Sequence, residues 1–311
     1  MCRSGWVLTC DPGIDDAIAL AVLAGRGGGG VQAIVAGAGN VDAPTAWRNA
    51  TGLAALFGLD VPVLLGSAAA RGGARINRSG HVHGADGLAG LSDRLAARPD
   101  REAGSPTTTL AAWGNVLATG PLTDVALALR SHRTIDRLVW MGGALEPGAL
   151  VRGTLVRGAL LPGAADTVGT IEFNAAADPA AVVEVLASPA VEVDIVPLDI
   201  TRQVCLTSDD LTRWSDGPPP AHFCAALART RLVDDVITPH DAVAAVAAHD
   251  PGLFRWARLH VHPSPDDAAA PSGALLVDRS PDASPNARVA VDVDASAVAR
   301  TIVESVSALT P

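Results

Sequence analysis

Apolar residues in this chain come in short runs closed by Gly, Pro or Asp, and most runs are followed by a segment of helical periodicity. The first run, Trp6-Val-Leu-Thr-Cys10, ends at a Pro-Gly turn and reads as a buried parallel strand. Asp16 to Ala24 then reads as a helix, with Ile18, Leu20, Val22 and Leu23 supplying its buried surface. The alternation repeats with a strand at Val31–Ala36, a helix at Asn49–Phe57 and a strand at Val61–Leu65. It resumes after a loop-rich stretch from Arg71 to Ser105. Leu110–Ala118 closes at a Thr-Gly-Pro turn, a helix covers Leu122–Arg130, and Arg137–Met141 is a strand. Pro179–Ala187 reads as a helix and Val191–Pro197 as a strand, and the chain ends with a strand at Ala287–Val293 and a helix at Ala295–Leu309.

Such alternation predicts an α/β fold with a mostly parallel central sheet covered by helices on both faces. The Pro- and Gly-rich breaks at Gly217–Pro220 and Pro263–Pro271 are too short to separate folding units, so residues 1–311 are expected to form a single domain. One low-complexity piece, Gly148 to Gly163, carries the near-duplicated pentads Val-Arg-Gly-Thr-Leu and Val-Arg-Gly-Ala-Leu, and reads as a loop, hairpin or lid.

Composition narrows the partners. The formal net charge is −10, which argues against a nucleic-acid partner and suits a small neutral substrate or a cation. Cys2, Cys10, Cys205 and Cys224 lack CxxC spacing and read as free thiols of a reducing cytosol. No signal-peptide-like or membrane-spanning apolar stretch is found, so a soluble, cytoplasmic protein without a membrane partner is expected.

In an open α/β sheet, ligands gather at the carboxyl ends of the strands. Polar groups recur there: Asp11, Asp15 and Asp16 after the first strand, Asn40 after the second, Thr119 and Asp199 after later ones, and His240-Asp241 opening a helical segment. Three carboxylates on one turn repel one another unless a cation or proton intervenes. Oxygen ligands without Cys favour Ca²⁺ or Mg²⁺ over zinc. The plainer reading is an acidic helix start, where Asp is favoured by the dipole and as an N-cap. His81-Val-His83 reads equally as a solvent-facing polar loop, His240-Asp241 as a capping pair, and Glu172-Phe-Asn174 with Asp178-Pro179 as a loop and helix cap.

Taken together and in order, these segments resemble the inosine–uridine preferring nucleoside hydrolase family. The matching pieces are Asp11-Pro-Gly-Ile-Asp-Asp16, Gly39-Asn40, Gly80-His-Val-His-Gly84, Ala118-Thr-Gly-Pro-Leu-Thr123 and Val139-Trp-Met-Gly-Gly-Ala144. They continue with Glu172-Phe-Asn174, Asp178-Pro179, Val196-Pro-Leu-Asp-Ile-Thr201, His240-Asp241 with Asp250-Pro251, and the strand ending at Val293. The resemblance spans nearly the whole chain. It implies a Rossmann-like nucleoside hydrolase fold and hydrolysis of the N-glycosidic bond of a ribonucleoside to ribose and a free base.

The resemblance also implies roles. Ca²⁺ would be held by Asp11, Asp16, Asp241 and the main-chain carbonyl of Thr119, with Asp11 as the general base. Asp15, Asn40 and Asn174 would orient the sugar and stabilise its developing positive charge, Asp15 gripping the 2′-hydroxyl. Glu172 would reach toward the 5′-hydroxyl and Met141 would pack beneath the ring. His240 would be the acid for the leaving base and His83 would line the base pocket. A homodimer or homotetramer is the assembly implied.

Three departures qualify it. Thr9 stands where the family usually has an Asp, a position read as supporting the metal ligands from behind. A Gly-rich insertion, residues 147–168, separates Met-Gly-Gly from Glu-Phe-Asn and leaves Asp166 nearest the 5′-binding position, which points to a 5′-modified substrate. The segment between Phe223 and His240 is short and lacks Tyr, so leaving-group specificity is not implied. Other classes fit less well: an aspartyl-phosphate phosphohydrolase needs Asp-x-Asp-x-Thr where Pro12-Gly13 stands, and no GxGxxG follows the first strand as a dinucleotide fold requires. The remaining alternative is a catalytically silent family member that binds a nucleoside or sugar.

Overall fold

The computed structural model describes residues 5–26, 30–71, 80–96, 114–131, 134–145, 172–264, 273–278, 280 and 282–310. The Gly-rich insertion at 147–168 and Asp166 within it lie outside the described residues.

The buried runs are strands. Parallel pairing joins β1 (Trp6–Cys10), β2 (Val31–Ala36), β3 (Val63–Leu65), β4 (Asn115–Ala118), β5 (Ile135–Met141), β7 (Val191–Val196) and β12 (Ala287–Val293). Beyond β12 the sheet changes character. β10 (Phe254–Pro263) runs antiparallel to it, followed by β11 (Ala274–Asp278) and the two-residue β6 (Ala144–Leu145). The order is β3-β2-β1-β4-β5-β7-β12-β10-β11-β6, and β8 (Leu206–Thr207) pairs with β9 (Val236–Ile237) in a separate antiparallel ribbon. The chain therefore reverses its direction of travel across the sheet between β1 and β4, and that gap at the carboxyl edge is where such folds bind ligands.

Strand side chains alternate between two cores, as the pleat requires. Leu8 and Cys10 of β1, Leu117 of β4, and Val139 and Met141 of β5 face one core. Val7, Val116, Ala118, Leu138 and Trp140 face the other. The first core is roofed by α1 (Ile14–Gly25), α2 (Ala43–Leu56), α8 (Ser208–Ser215), α9 (Pro219–Arg229), α10 (His240–His249) and α11 (Ala295–Ser307). On the opposite side, α4 (Thr123–Arg130) and α6 (Pro179–Ala187) cover the second core. α1 is buried on every side from Asp16 to Leu23 and packs against α10 and α11, as a helix apolar all round must. Each fully buried Ile or Leu there contributes about 1.5–3 kcal/mol relative to exposure. That packing pins the first turn of α1, and its two aspartates, under the end of β1. Among the described residues, no helix is long and apolar enough to cross a membrane.

Strand–helix alternation was read correctly over most of the parallel half, and Val31–Ala36, Pro179–Ala187 and Ala287–Val293 match the predicted bounds. α2 begins at Ala43, well ahead of the predicted Asn49, because Asp42 caps it by accepting from the Thr45 amide at 2.9 Å and Pro44 stands in its first turn. The antiparallel strands β10 and β11 and the helices α8 and α9 were not anticipated.

Candidate active site

The site is assembled from chain segments that end at one edge of the sheet. β1 delivers Asp11, the first turn of α1 delivers Asp15 and Asp16, and the loop after β2 delivers Asn40. Thr119 directly follows β4, β5 ends at Met141, and α10 opens with His240 and Asp241. Asn174 lies in α5 (Phe173–Ala177), the short helix capped by Glu172.

Asp11 is 2 % exposed. Its Oδ2 accepts the Asn40 amide at 2.6 Å, whereas its Oδ1 is buried without a hydrogen-bond partner. Two glycines make room for this carboxylate. A Cβ at Gly39 would collide with it, and one at Gly120 would stand 2.7 Å from Oδ1. Asp16 is held at both oxygens: Oδ1 accepts from the Thr119 hydroxyl at 2.8 Å, and Oδ2 from the Gly13 amide at 2.9 Å and Asn40 Nδ2 at 3.3 Å. The Gly13 contact is a helix-start bond, so the plainer reading of Asp16 holds alongside membership of the cluster.

Ligand oxygens of Asp15, Asp16 and Asp241 all lie within 4.8 Å of one another. No arginine among the described residues forms an ion pair with these carboxylates or with Asp11. Burial pushes Asp11 and Asp241 well above the usual carboxylate range, and repulsion from neighbouring aspartates adds to it. Asp16 is raised to about 6 by burial first and Asp15 second. Asp15, also raised by burial, is relieved in part by a hydrogen bond to Asp241 and the charge of Arg231. An orphaned buried oxygen and mutually repelling carboxylates fit a hard cation, which prefers oxygen donors.

The two asparagines are oriented alike. Asn174 Nδ2 donates to the Thr119 carbonyl at 2.9 Å and the Met141 carbonyl at 3.0 Å. Asn40 Nδ2 donates to the Asp11 carbonyl and to Asp16, each at 3.3 Å. An amide has two N–H donors, so both residues are left with the Oδ1 acceptor for a ligand. The Thr119 carbonyl keeps a second lone pair. Met141 is buried, its sulfur 3.6 Å from Asn174 Nδ2.

Glu172 takes the capping geometry. Oε2 accepts from Gly143 at 2.6 Å and Ala175 at 2.8 Å, and Oε1 from the Asn174 amide at 2.9 Å. It thereby ties α5 to the end of β5. Asp178 likewise caps α6, accepting from Ala181 at 3.0 Å.

Both histidines are secured through Nδ1. His83 is buried and its Nδ1 accepts the Ile14 amide at 3.1 Å, so that nitrogen carries no hydrogen and the 3.9 Å approach of Asp15 is not a hydrogen bond. His240 Nδ1 lies 2.7 Å from the Thr201 hydroxyl. Burial, aided by the charges of Arg202, His83 and Arg231, lowers His240 to about 4. Thr201, the last residue of α7 (Leu198–Thr201), closes the Val196-Pro-Leu-Asp-Ile-Thr201 segment, but its partner is far away in sequence, so no local pattern marks the pair. Thr9, in the departing position, is buried, and its carbonyl accepts the Thr119 amide at 2.9 Å. The structure thus brings together Asp11, Asp15, Asp16, Asn40, Thr119 and Asp241, ties Asn174 and Met141 to Thr119, and places His83 beside the start of α1.

Comparison with known proteins agrees with this architecture. The family model for inosine-uridine preferring nucleoside hydrolase matches residues 6–300. Among curated relatives, the chain is 28% identical over 272 residues to the pyrimidine-specific ribonucleoside hydrolase RihA of Shewanella sp. (strain MR-7), covering 80% of this chain and 76% of that protein. It is 29% identical over 269 residues to the RihA of Citrobacter koseri, covering 79% and 77%. Among solved structures, the plant nucleoside hydrolase PpNRh1 superimposes with a TM-score of 0.80 at 27% identity over 98% of this chain and 99% of that one. The purine-preferring ribonucleoside hydrolase from Gardnerella vaginalis shares the fold with a TM-score of 0.81 at 24% identity, over 98% of each chain. With its strand order, its acidic edge and a match over nearly its full length, the chain belongs to the inosine–uridine preferring nucleoside hydrolase family.

Proposed function

We propose that this protein is a Ca²⁺-dependent nucleoside N-ribohydrolase that releases a free base and ribose. The observation that carries the reading is the unpartnered Oδ1 of Asp11, buried beside carboxylates that form no ion pair with an arginine among the described residues, at the point where the strand order reverses. Asp11, Asp16, Asp241 and the Thr119 carbonyl would hold the cation. When bound, it supplies the neutralising charge that lets the carboxylates ionise, and Lewis acidity toward water and the ribose diol.

In the reaction, the oxygen of water forms a bond to C1′ as the C1′–N bond breaks, and that electron pair leaves with the base. Asp11 accepts the water proton at Oδ1, since Oδ2 is already committed to the Asn40 amide. Positive charge grows on the ring as the base departs. The Oδ1 atoms of Asn40 and Asn174, fixed by their spent amide hydrogens, are pre-set to stabilise it. Asp15 takes the 2′-hydroxyl, and Glu172 Oε1, which carries a single amide, keeps an acceptor position toward the 5′-hydroxyl. Met141 packs beneath the ring, His83 lines the base pocket, and neutral His240 donates a hydrogen bond to the leaving base, which takes its proton from solvent while Asp11 returns its own. The working form is a cytoplasmic homodimer or homotetramer. Relatives named for pyrimidine and for purine preference both match this chain over most of its length, and base choice is carried by the residues facing the base rather than by the ribose site.

The test is base and reducing-sugar release from uridine, inosine and 5′-modified analogues, with Ca²⁺, with EDTA, and with Ca²⁺ restored. Release that disappears with EDTA and returns with Ca²⁺ is expected. No release from any member of the panel would instead identify a binding-only relative, and release indifferent to EDTA would remove the metal from the reading.

A further inference from the structure

We propose that Thr201 is a positioning residue that sets the ring orientation and tautomer of His240. The Thr201 hydroxyl has one hydrogen and two nearby acceptors. His240 Nδ1 lies 2.7 Å away, and the Leu198 carbonyl lies 3.2 Å away. A hydroxyl hydrogen bond to oxygen normally falls at 2.5–3.0 Å, so the longer contact is the weaker claim on the hydrogen. The Leu198 carbonyl also does not need it, because it already accepts the Arg202 amide at 3.1 Å. The hydrogen therefore goes to Nδ1. A neutral imidazole with Nδ1 accepting carries its own hydrogen on Nε2. His240 is thereby held ready as an Nε2–H donor.

The surroundings make this arrangement rigid. Thr201 is fully buried and closes the single helical turn of α7, whose Thr201 amide returns to Pro197 at 3.1 Å. His240 opens α10, which packs against α7 and α1. His83 shows the same logic with a different donor, a backbone amide at 3.1 Å. In the His240 case the donor is a side chain, which a single substitution can remove. The proposal rests on the reading of His240 as donor to the leaving base.

Thr201→Val removes the hydroxyl at nearly constant volume, and Thr201→Ser keeps it. Each is assayed beside His240→Ala on the best nucleoside of the panel and on 4-nitrophenyl β-D-ribofuranoside, whose leaving group departs without a proton. The kcat of Thr201→Val on the nucleoside should fall on the order of ten- to hundred-fold more than on the nitrophenyl riboside, with KM little changed. His240→Ala should show the same divergence, and Thr201→Ser should restore the nucleoside rate. With ¹⁵N-labelled histidine, the His240 resonance, assigned by its absence in His240→Ala, should report an unprotonated Nδ1 in the native protein and a tautomer mixture in Thr201→Val. A Thr201→Val loss equal on both substrates, or no loss, while His240→Ala still diverges, overturns the proposal and leaves the His240 reading standing. If His240→Ala itself fails to diverge, both are overturned, whereas nucleoside turnover is judged separately by the panel.

Discussion

Two buried acidic regions of this protein are opposites. Asp194, in β7, is 3 % exposed and lies between two arginines. Arg137 Nε reaches its Oδ2 at 2.8 Å, and Arg288 meets both oxygens at 2.6 and 2.5 Å. Each arginine in turn stacks on a tryptophan, Arg137 on Trp6 at 5.4 Å and Arg288 on Trp256 at 5.1 Å. Asp11, Asp16 and Asp241 at the carboxyl edge are as deeply buried, Asp15 beside them is half-buried, and none of the four forms an ion pair with an arginine among the described residues. A fold able to neutralise one buried carboxylate so fully has left four others in mutual repulsion. The second arrangement costs stability unless a ligand relieves it, and that cost marks the functional edge.

The contrast can be broken most severely at Asp11. Asp11→Ala should lower kcat by at least ~10³-fold, because it removes a metal ligand together with the base, while the metal-free protein melts no lower than the native one. A near-normal kcat would sink the assignment of this edge as the active site. Asp194→Ala should do the reverse. It removes the shared partner of two arginines that are themselves partly exposed, and should cost about 1.5–3 kcal/mol in chemical denaturation, with kcat per folded molecule retained. Activity loss without a stability loss there would show that the two regions are not separate in role.

A smaller effect sharpens the comparison through pH. Asp16 has a folded-state pKa raised to about 6, and Asp11 and Asp241 are raised as well. A carboxyl raised in the folded state binds more protons folded than unfolded, so its contribution to metal-free stability declines as pH rises from about 4 through that raised value. Ca²⁺ competes with those protons. The rise in Tm on adding Ca²⁺ should therefore be larger at pH 8 than at pH 5, and the difference should shrink in Asp241→Asn. A Ca²⁺ shift independent of pH would place the ion elsewhere.

The parallel half of the sheet was legible because both its faces are buried, and its strands read as continuous apolar runs such as Val31–Ala36. β10 was not, since Phe254–Pro263 interleaves Arg and His with apolar residues and lies near the edge, where only some positions are buried. In the candidate site, Asp11, Asp16, Thr119 and Asp241 were legible from resemblance and order. Asp16 also shows why the plain helix-start reading was attractive, since it is physically true of that residue. Hidden from the sequence were the pairings that give these groups their direction. Thr201 with His240 and Asn174 with Thr119 are contacts between distant segments, created only when the strands align. Glu172 illustrates a mixed case, its capping position visible in sequence and its bond to Gly143 visible only in the fold.

The spent amide hydrogens of Asn40 and Asn174 carry one more consequence, for substrate selection. With their N–H groups committed to the protein itself, these side chains meet a sugar only as acceptors, and under the proposed function the ribose must arrive as a set of donors. A ribonucleoside meets that demand with its hydroxyl hydrogens. A 2′-deoxynucleoside or a 2′-O-methyl analogue lacks the hydrogen that Asp15 would accept, and an acceptor left unmet costs about 1–3 kcal/mol, or roughly ten- to hundred-fold in kcat/KM. Under the proposed function, the two amide oxygens together with the Asp15 carboxylate would line the pocket with acceptors alone, a filter that favours ribose over deoxyribose.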